Sequence, residues 1–512
     1  MDFSLPVPCN SSGSSRVSEQ SARHLFGNRR AAVRPVLLGA CLVGLTACST
    51  QPLPAGLPEQ VLGLPTEFRA SGAENSPVRW WQSFDDSRLN QLVQQALQEN
   101  LDLQSTYWRL QQADAAAAQA RSGFWPRLTG SLENTEQRRA SGSGFDFSGA
   151  ENEGNSWSGS LAAGYEVDLW GRVRSGARAA EAGRLAQVEN LQTAALTLSA
   201  EVAGTWMQLQ EQLGQTRLLE QQLEINRKTL RALELRFGSG VSAAADVLQQ
   251  RQLVQQSLQE LEQSRFNLEV LRVQLAALLG IPEQQLPVAP GDYGHLPALP
   301  AMPDTGIPAQ LLLRRPDVKR AQRELLQGHY LADQAWAERL PSLSLNLFYS
   351  GGGAALADIA EDWLMNLTAS LDGVIFDGGG LSAARRQQEA VEQERWVAFR
   401  NTVVQALSEV EQALINENAI ATRIGHLQKR AVLASQITAR QRRAYGLGAV
   451  DFLNVLSATN NQQSLERQLL TARRELLENR VTLYRALSGG LESHDLPAPP
   501  AMDLEVYRSE DA

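Results

Sequence analysis

The sequence predicts a mainly helical chain that also carries two-faced β-strands, with the whole plan written twice. Three observations lead there. Two runs of about 155 residues, between Pro126 and Pro282 and between Pro341 and Pro497, contain no proline, which breaks helix interiors and strand ladders alike. Short segments inside those runs alternate apolar and polar residues with period two. Two stretches, "LRFGSGVSAAADVLQQ" (235–250) and "RRAYGLGAVDFLNVLSA" (442–458), place a Gly-x-Gly pause inside a helical pattern.

At the N-terminus, Arg29, Arg30 and Arg34 precede the apolar run "PVLLGACLVGLTA" (35–47) and then Cys48. This is a basic region, a short hydrophobic region and a small-residue cleavage site. "LTAC" resembles a bacterial lipobox. Residues 1–47 read as a lipoprotein signal peptide, with Cys48 diacylated as the new N-terminus. A plain secretory signal with an incidental cysteine is the alternative. Ser49, rather than an aspartate, follows the outer-membrane sorting pattern. Removing 1–47 takes away five basic and two acidic residues, so the formal charge moves from −9 to −12. Residues 48–88 then form a lipidated extension and collar.

The duplication sets the rest. Shifted by 208, Gly238 falls on Gly446, Gly240 on Gly448, Val247 on Val455 and Leu248 on Leu456, without a gap to Val273 and Val481. Shifted by 215, Asp102 falls on Asp317, Pro126 on Pro341 and Leu128 on Leu343. The first repeat covers 89–282. It has a lead-in helix over 89–121, strands at about 127–140 and 156–170, and a helical hairpin over 171–280 with its tip at 237–246. A collar linker follows over 283–307. The second repeat covers 308–490, with a lead-in helix over 308–338, strands at about 341–351 and 363–376, and a hairpin over 379–488 with its tip at 445–454. Residues 491–512 are a tail.

Each element has a physical reason. In 156–170, Trp157, Leu161, Ala163, Tyr165 and Val167 alternate with serines and acids. In 363–375, Trp363, Met365, Leu367, Ala369 and Leu371 alternate with Asn366, Thr368, Ser370 and Asp372. A half-buried soluble sheet would show the same local pattern. The helical runs from 171 and from 379 are each some 65 residues, or roughly 100 Å at ~1.5 Å per residue. Leucines recur at spacings of three and four, as in coiled-coil packing. The Gly-x-Gly pauses read as hairpin turns, because glycine accepts the helix-terminating, left-handed geometry.

Four strands cannot close a membrane barrel, which needs at least eight, and lipid tolerates no open edge. If these strands enter a membrane the chain must oligomerise. Three copies would give twelve strands.

The lipobox, "RRPDVKRAQRELLQGHYLADQAWAERLPSLSLN" (314–346), "IFDGGG" (375–380) and the paired "FGSGV" and "YGLGA" tips resemble the TolC-like outer-membrane factors of efflux systems. The OprM- and NodT-like lipoprotein branch is most similar. The resemblance spans 48–490. It implies a trimeric duct, a 12-stranded β-barrel with four strands per chain continued by a long α-helical barrel. This homotrimer would be lipid-anchored in the outer membrane at Cys48, with its helical barrel in the periplasm. Its tips would dock a periplasmic membrane-fusion adaptor and, through it, an inner-membrane pump of the resistance-nodulation-division type. The docking residues would be Phe237, Gly238, Gly240 and Val241 in one tip and Tyr445, Gly446, Gly448 and Ala449 in the other. The resemblance also implies a periplasmic gate. Asp246 matches a gate-region aspartate, Leu453 an apolar constriction residue, and Ser457 stands where many lipoprotein members carry Asp. The family's gate arginine would fall near Ala444, beside Arg442 and Arg443. Asp246 reads equally as a first-turn acid favoured by the helix dipole.

The function expected is a passive exit duct for small molecules such as drugs and organic compounds. A duct for type I protein secretion or metal efflux, and a periplasmic coiled-coil scaffold lipoprotein, are the alternatives. No catalytic, cofactor or metal residues are expected: there is no HExxH and no His/Cys cluster. "DGGGLSAAR" (377–385) lacks the Lys-Ser/Thr of a phosphate-binding loop and reads as a strand-to-helix turn. The acidic balance argues against nucleic acid, which needs clustered Lys and Arg.

Overall fold

The computed structural model describes residues 65–72, 78–138, 153–287, 295–308 and 314–488, with Leu491 and Leu496. Helices α1 (Ser87–Glu99) and α2 (Leu101–Ser122) lead to strands β1 (Arg127–Arg138) and β2 (Glu153–Val167), then to α3 (Arg172–Gly238) and α4 (Ala244–Leu279). The second half runs α5 (Pro316–Ala337), β3 (Ser342–Gly353), β4 (Trp363–Asp372), α6 (Gly380–Gly446) and α7 (Phe452–Leu487). Lengths repeat: 22 residues in α2 and α5, 67 in α3 and α6, and 36 in α4 and α7. At ~1.5 Å per residue the long helices reach roughly 100 Å and the return arms roughly 54 Å. Both α2 and α4 pack along α3; α5 packs against α3 and α6, and α7 against α6 and α3, so the halves interleave. Among the described residues, no helix is long and apolar enough to cross a membrane.

The lead-in helix expected over 89–121 is broken at Asn100. That residue leaves the helix (φ −63°, ψ 126°) and serves as C-cap of α1 and N-cap of α2. Its Oδ1 accepts from the Leu103 amide at 2.9 Å, and its Nδ2 donates to the Leu278 carbonyl at 3.0 Å. Facing it, α4 ends at Gly280 (φ +73°), where a Cβ would lie 2.4 Å from the Glu99 carbonyl oxygen. The two helix ends are cut to fit each other.

This joint sits on the main core. Trp80, Trp81 and Phe84 of a short 3-10 helix are buried with Leu89, Leu92 and Val93 of α1 against Val202, Trp206 and Met207 of α3 and Leu275 and Leu279 of α4. Trp80 stacks on Tyr484 of α7 at 6.0 Å, and the Trp206 indole donates to Asp86 at 2.8 Å. Arg480 of α7, 2% exposed, is buried in contact with Glu417 of α6 and the Pro300 carbonyl. Arg315 bonds Asp317 (2.6 Å), Glu409 (3.0 Å) and the Ala486 carbonyl (3.2 Å).

The strands form one antiparallel meander, β1-β2-β3-β4. The register sorts residue types by face. Leu128, Ala163, Leu347 and Leu367 line up in one row, and Val167, Leu343 and Leu371 in another. The opposite face carries Arg127, Gly164, Asn346 and Thr368, with Glu166, Ser344 and Ser370 further along. Hydroxyl pairs Ser131–Ser160 (2.8 Å) and Ser344–Ser370 (2.7 Å) cross neighbouring strands on that polar face. The apolar face is open to its surroundings: Leu128, Leu132, Met365, Leu367 and Leu371 are all exposed. Among the described residues, the outer edges of β1 and β4 have no strand partner.

Strand ends differ from the expected ones for a local reason. β2 stops at Val167 because Asp168 turns to accept from the Val173 and Arg174 amides (3.2 and 3.0 Å) at the start of α3. β4 stops at Asp372, and Asp377 then accepts from the Gly379 and Leu381 amides (2.8 and 2.6 Å). That carboxylate fills the α6 N-terminus, so the glycine run is a capped turn. These backbone bonds hold the Asp377 carboxyl below the usual carboxylate range.

Candidate functional site

Both hairpins turn on the same backbone device. After α3, Gly240 (φ +75°) donates to the Phe237 carbonyl at 2.9 Å and Val241 to the Arg236 carbonyl at 2.8 Å. After α6, Gly448 (φ +74°) donates to Tyr445 at 3.0 Å and Ala449 to Ala444 at 2.9 Å. This is the paired C-terminal bonding of a Schellman motif. Only the second glycine of each Gly-x-Gly takes the left-handed conformation; Gly238 and Gly446 are still the last helical residues, with open space around them. The turns leave apolar side chains bare: Phe237 is 49% exposed, Val241 63% and Leu447 86%.

The two tips touch through Tyr445. Its hydroxyl lies 2.8 Å from the Ser242 hydroxyl and donates to the Asp246 carboxylate at 3.4 Å. The Arg236 guanidinium sits over its ring, 5.0 Å from the centroid, and Phe452 meets the ring edge-on at 5.4 Å. Beneath this polar cap, Leu233, Val247, Phe452 and Val455 form a small buried cluster drawn from both hairpins. Asp246 is in the first turn of α4, so its charge also faces the positive end of that helix. That is the first-turn position on which the helix-dipole reading rests.

Leu453 and Ser457 stand one turn apart on α7, both exposed, with Phe452, Val455 and Thr459 buried on the other side of the helix. No hydrogen bond links either to Asp246. Arg442 and Arg443 are exposed, and no ion pair holds them among the described residues. The cation on the Tyr445 ring is instead Arg236, from the first hairpin. Sequence reasoning missed Arg236 and Ser242 because their partner is about two hundred residues away. The one available signal was the aromatic residue beside the second glycine pair. Cys48 lies outside the described residues, as do residues 139–152 between β1 and β2. His329 on α5 bonds Glu392 of α6 at 3.0 Å, with Asp333 at 3.7 Å. No group of three or more metal-ligating side chains is assembled among the described residues.

Three comparisons bear on this architecture. The family model described as "Outer membrane efflux protein" matches residues 92–281 and 307–489. The chain is 31% identical over 465 residues to the pyoverdine export outer membrane protein OpmQ of Pseudomonas putida, covering 88% of this chain and 96% of that one. It is 26% identical to nodulation protein T of Rhizobium leguminosarum bv. trifolii, over 89% of this chain and 96% of that one. Among solved structures, the outer-membrane channel OprN superposes with a TM-score of 0.75 at 26% identity, covering 88% of this chain and 99% of that one. With the family model spanning both hairpins and both strand pairs, the chain belongs to the outer membrane efflux protein family.

Proposed function

We propose that the chain is one protomer of a trimeric outer-membrane duct, the passive exit of a tripartite efflux system for small organic molecules. The observation that carries this is the sheet: one face apolar, one polar, both edges open, and fused to helices of roughly 100 Å. From Trp157 to Val167, β2 covers ~33 Å of strand, which a tilt of about 40° reduces to roughly the 25 Å apolar band of an outer-membrane barrel. Three copies supply twelve strands and leave no edge in lipid. Cys48, diacylated, ties each copy to the membrane. The helices continue through the periplasm. Phe237, Gly238, Gly240 and Val241, with Tyr445, Gly446, Gly448 and Ala449, form the docking surface for a membrane-fusion adaptor and a resistance-nodulation-division pump. Asp246, Leu453 and Ser457 line the periplasmic gate, with the Tyr445–Asp246 bond holding it shut. OpmQ is described as exporting pyoverdine, which supports a small organic cargo.

The test is light scattering of the detergent-purified protein followed by planar-bilayer recording. A mass of three chains and discrete single-channel currents are expected. A folded protein that is monomeric and gives no currents would favour a periplasmic scaffold and sink the duct.

A further inference from the structure

A cleft of about 450 Å³ opens between α3, α6 and α7, just behind the Tyr445 contact. Its size is that of a small-molecule site. Three cations line it, Lys228, Arg236 and Arg442, and no Asp or Glu does. Lys228 has only an exposed, 3.6 Å contact to Glu224, and Arg442 has no ion pair among the described residues. The Nε of Arg236 is shielded from water and has no hydrogen-bond partner. Arg236 itself borders the cleft, and a carboxylate is the acceptor that fits a guanidinium fork. The apolar walls, Phe452 and Leu456 among them, suit a hydrocarbon or aromatic body beside that charge. The surroundings reinforce the sign. Residues 225–252 and 428–460 together hold ten Lys and Arg against three Asp and Glu, in a chain whose net charge is −9. The field at this end of the molecule therefore draws anions.

We propose that this cleft binds a small organic anion with an apolar body, an aryl carboxylate being the simplest. The carboxylate sits between Arg236 and Arg442, and the body lies against Phe452 and Leu456. The site is built from one chain, so it stands whether or not the duct reading does. Equilibrium dialysis of the detergent-purified full chain against 1-naphthoate tests it, with 1-naphthylmethylammonium as the cationic counterpart of like shape. Naphthoate is expected to bind at least tenfold more tightly than the ammonium. Arg236→Gln should weaken naphthoate tenfold or more, and Arg442→Gln several-fold. Arg251→Gln, whose side chain pairs with Glu234 outside the cleft, should leave binding unchanged. Arg442 is exposed, so its variant keeps the test valid if Arg236→Gln fails to fold. Equal binding of the two probes, or naphthoate binding indifferent to Arg442→Gln in a protein of parental helix content, would overturn the proposal.

Discussion

Replacing Tyr445 by Phe isolates one hydroxyl. The ring stays, so the stacking of Arg236 and the edge contact of Phe452 are kept. What is lost is the bond to Ser242 at 2.8 Å and the longer one to Asp246 at 3.4 Å. A neutral hydrogen bond contributes about 1 kcal/mol net, and a stretched charge-assisted one adds a fraction of its usual ~1.5–3 kcal/mol. The loss is about 1.5 kcal/mol per chain, or roughly tenfold in a local opening equilibrium at ~1.4 kcal/mol per decade. If three chains open together, the loss is about 4.5 kcal/mol and the closed-to-open ratio falls on the order of a thousandfold. Single-channel open probability in planar bilayers measures this directly. Asp246→Ala should act in the same direction, and the double variant should fall short of the sum because both remove one bond. Unchanged open probability in both single variants, in protein that is folded and assembled, would refute the latch.

Four further outcomes are expected. Gly280→Ala should lower thermal stability by about 2 kcal/mol or more, since it adds left-handed strain to a Cβ placed 2.4 Å from the Glu99 carbonyl; a melting temperature within a degree of the parent would contradict it. Arg480→Met alone should cost about 3–5 kcal/mol by stranding the Glu417 carboxylate, and adding Glu417→Leu should recover most of that, as denaturant titration can read. Burial tends to raise the Asp317 carboxyl, but the bonds and charge of Arg315 outweigh it and hold the group below its ordinary value. A depressed folded-state value means the stabilisation is complete above the unfolded carboxylate pKa of about 3.9 and is lost as pH falls through the lower folded value. Melts of Asp317→Asn should therefore be flatter than the parent below about pH 4. Cys48→Ser should abolish metabolic labelling with radioactive palmitate and leave the helical content unchanged; retained label would remove Cys48 as the anchor.

The repeat, the strand faces and the hairpins were legible because each is a periodic or local signal. Alternation in 156–170 and 363–375 reports the two faces of the sheet, and glycine at 240 and 448 reports a left-handed residue ending a helix. The break at Asn100 was not legible, because no proline marks it. Its cause is the Leu278 carbonyl, 178 residues further along the chain. The ends of β2 and β4 were set by Asp168 and Asp377, whose side chains compete for the amides that the strand pattern alone assigns to continued extension. At the tips, sequence offered Arg442 and Arg443 as cations near the second turn. The ring contact comes from Arg236 because packing of α3 beside α7, not proximity in sequence, decides which cation reaches Tyr445.

The matched helix lengths make the molecule a gauge. An added heptad in α3 lengthens one arm by about 10 Å, so α4 must gain a heptad for that hairpin to close, and α6 and α7 must each gain one for Tyr445 to meet Ser242 again. A single insertion throws the tips out of level; only four matched ones restore it. The length difference that the two repeats do show, an offset of 215 before the strands and 208 after them, falls between Pro126 and Arg172, where it shifts neither tip. Reach can therefore change only in synchronised steps, whereas length between Pro126 and Arg172 differs from the second repeat without moving either tip.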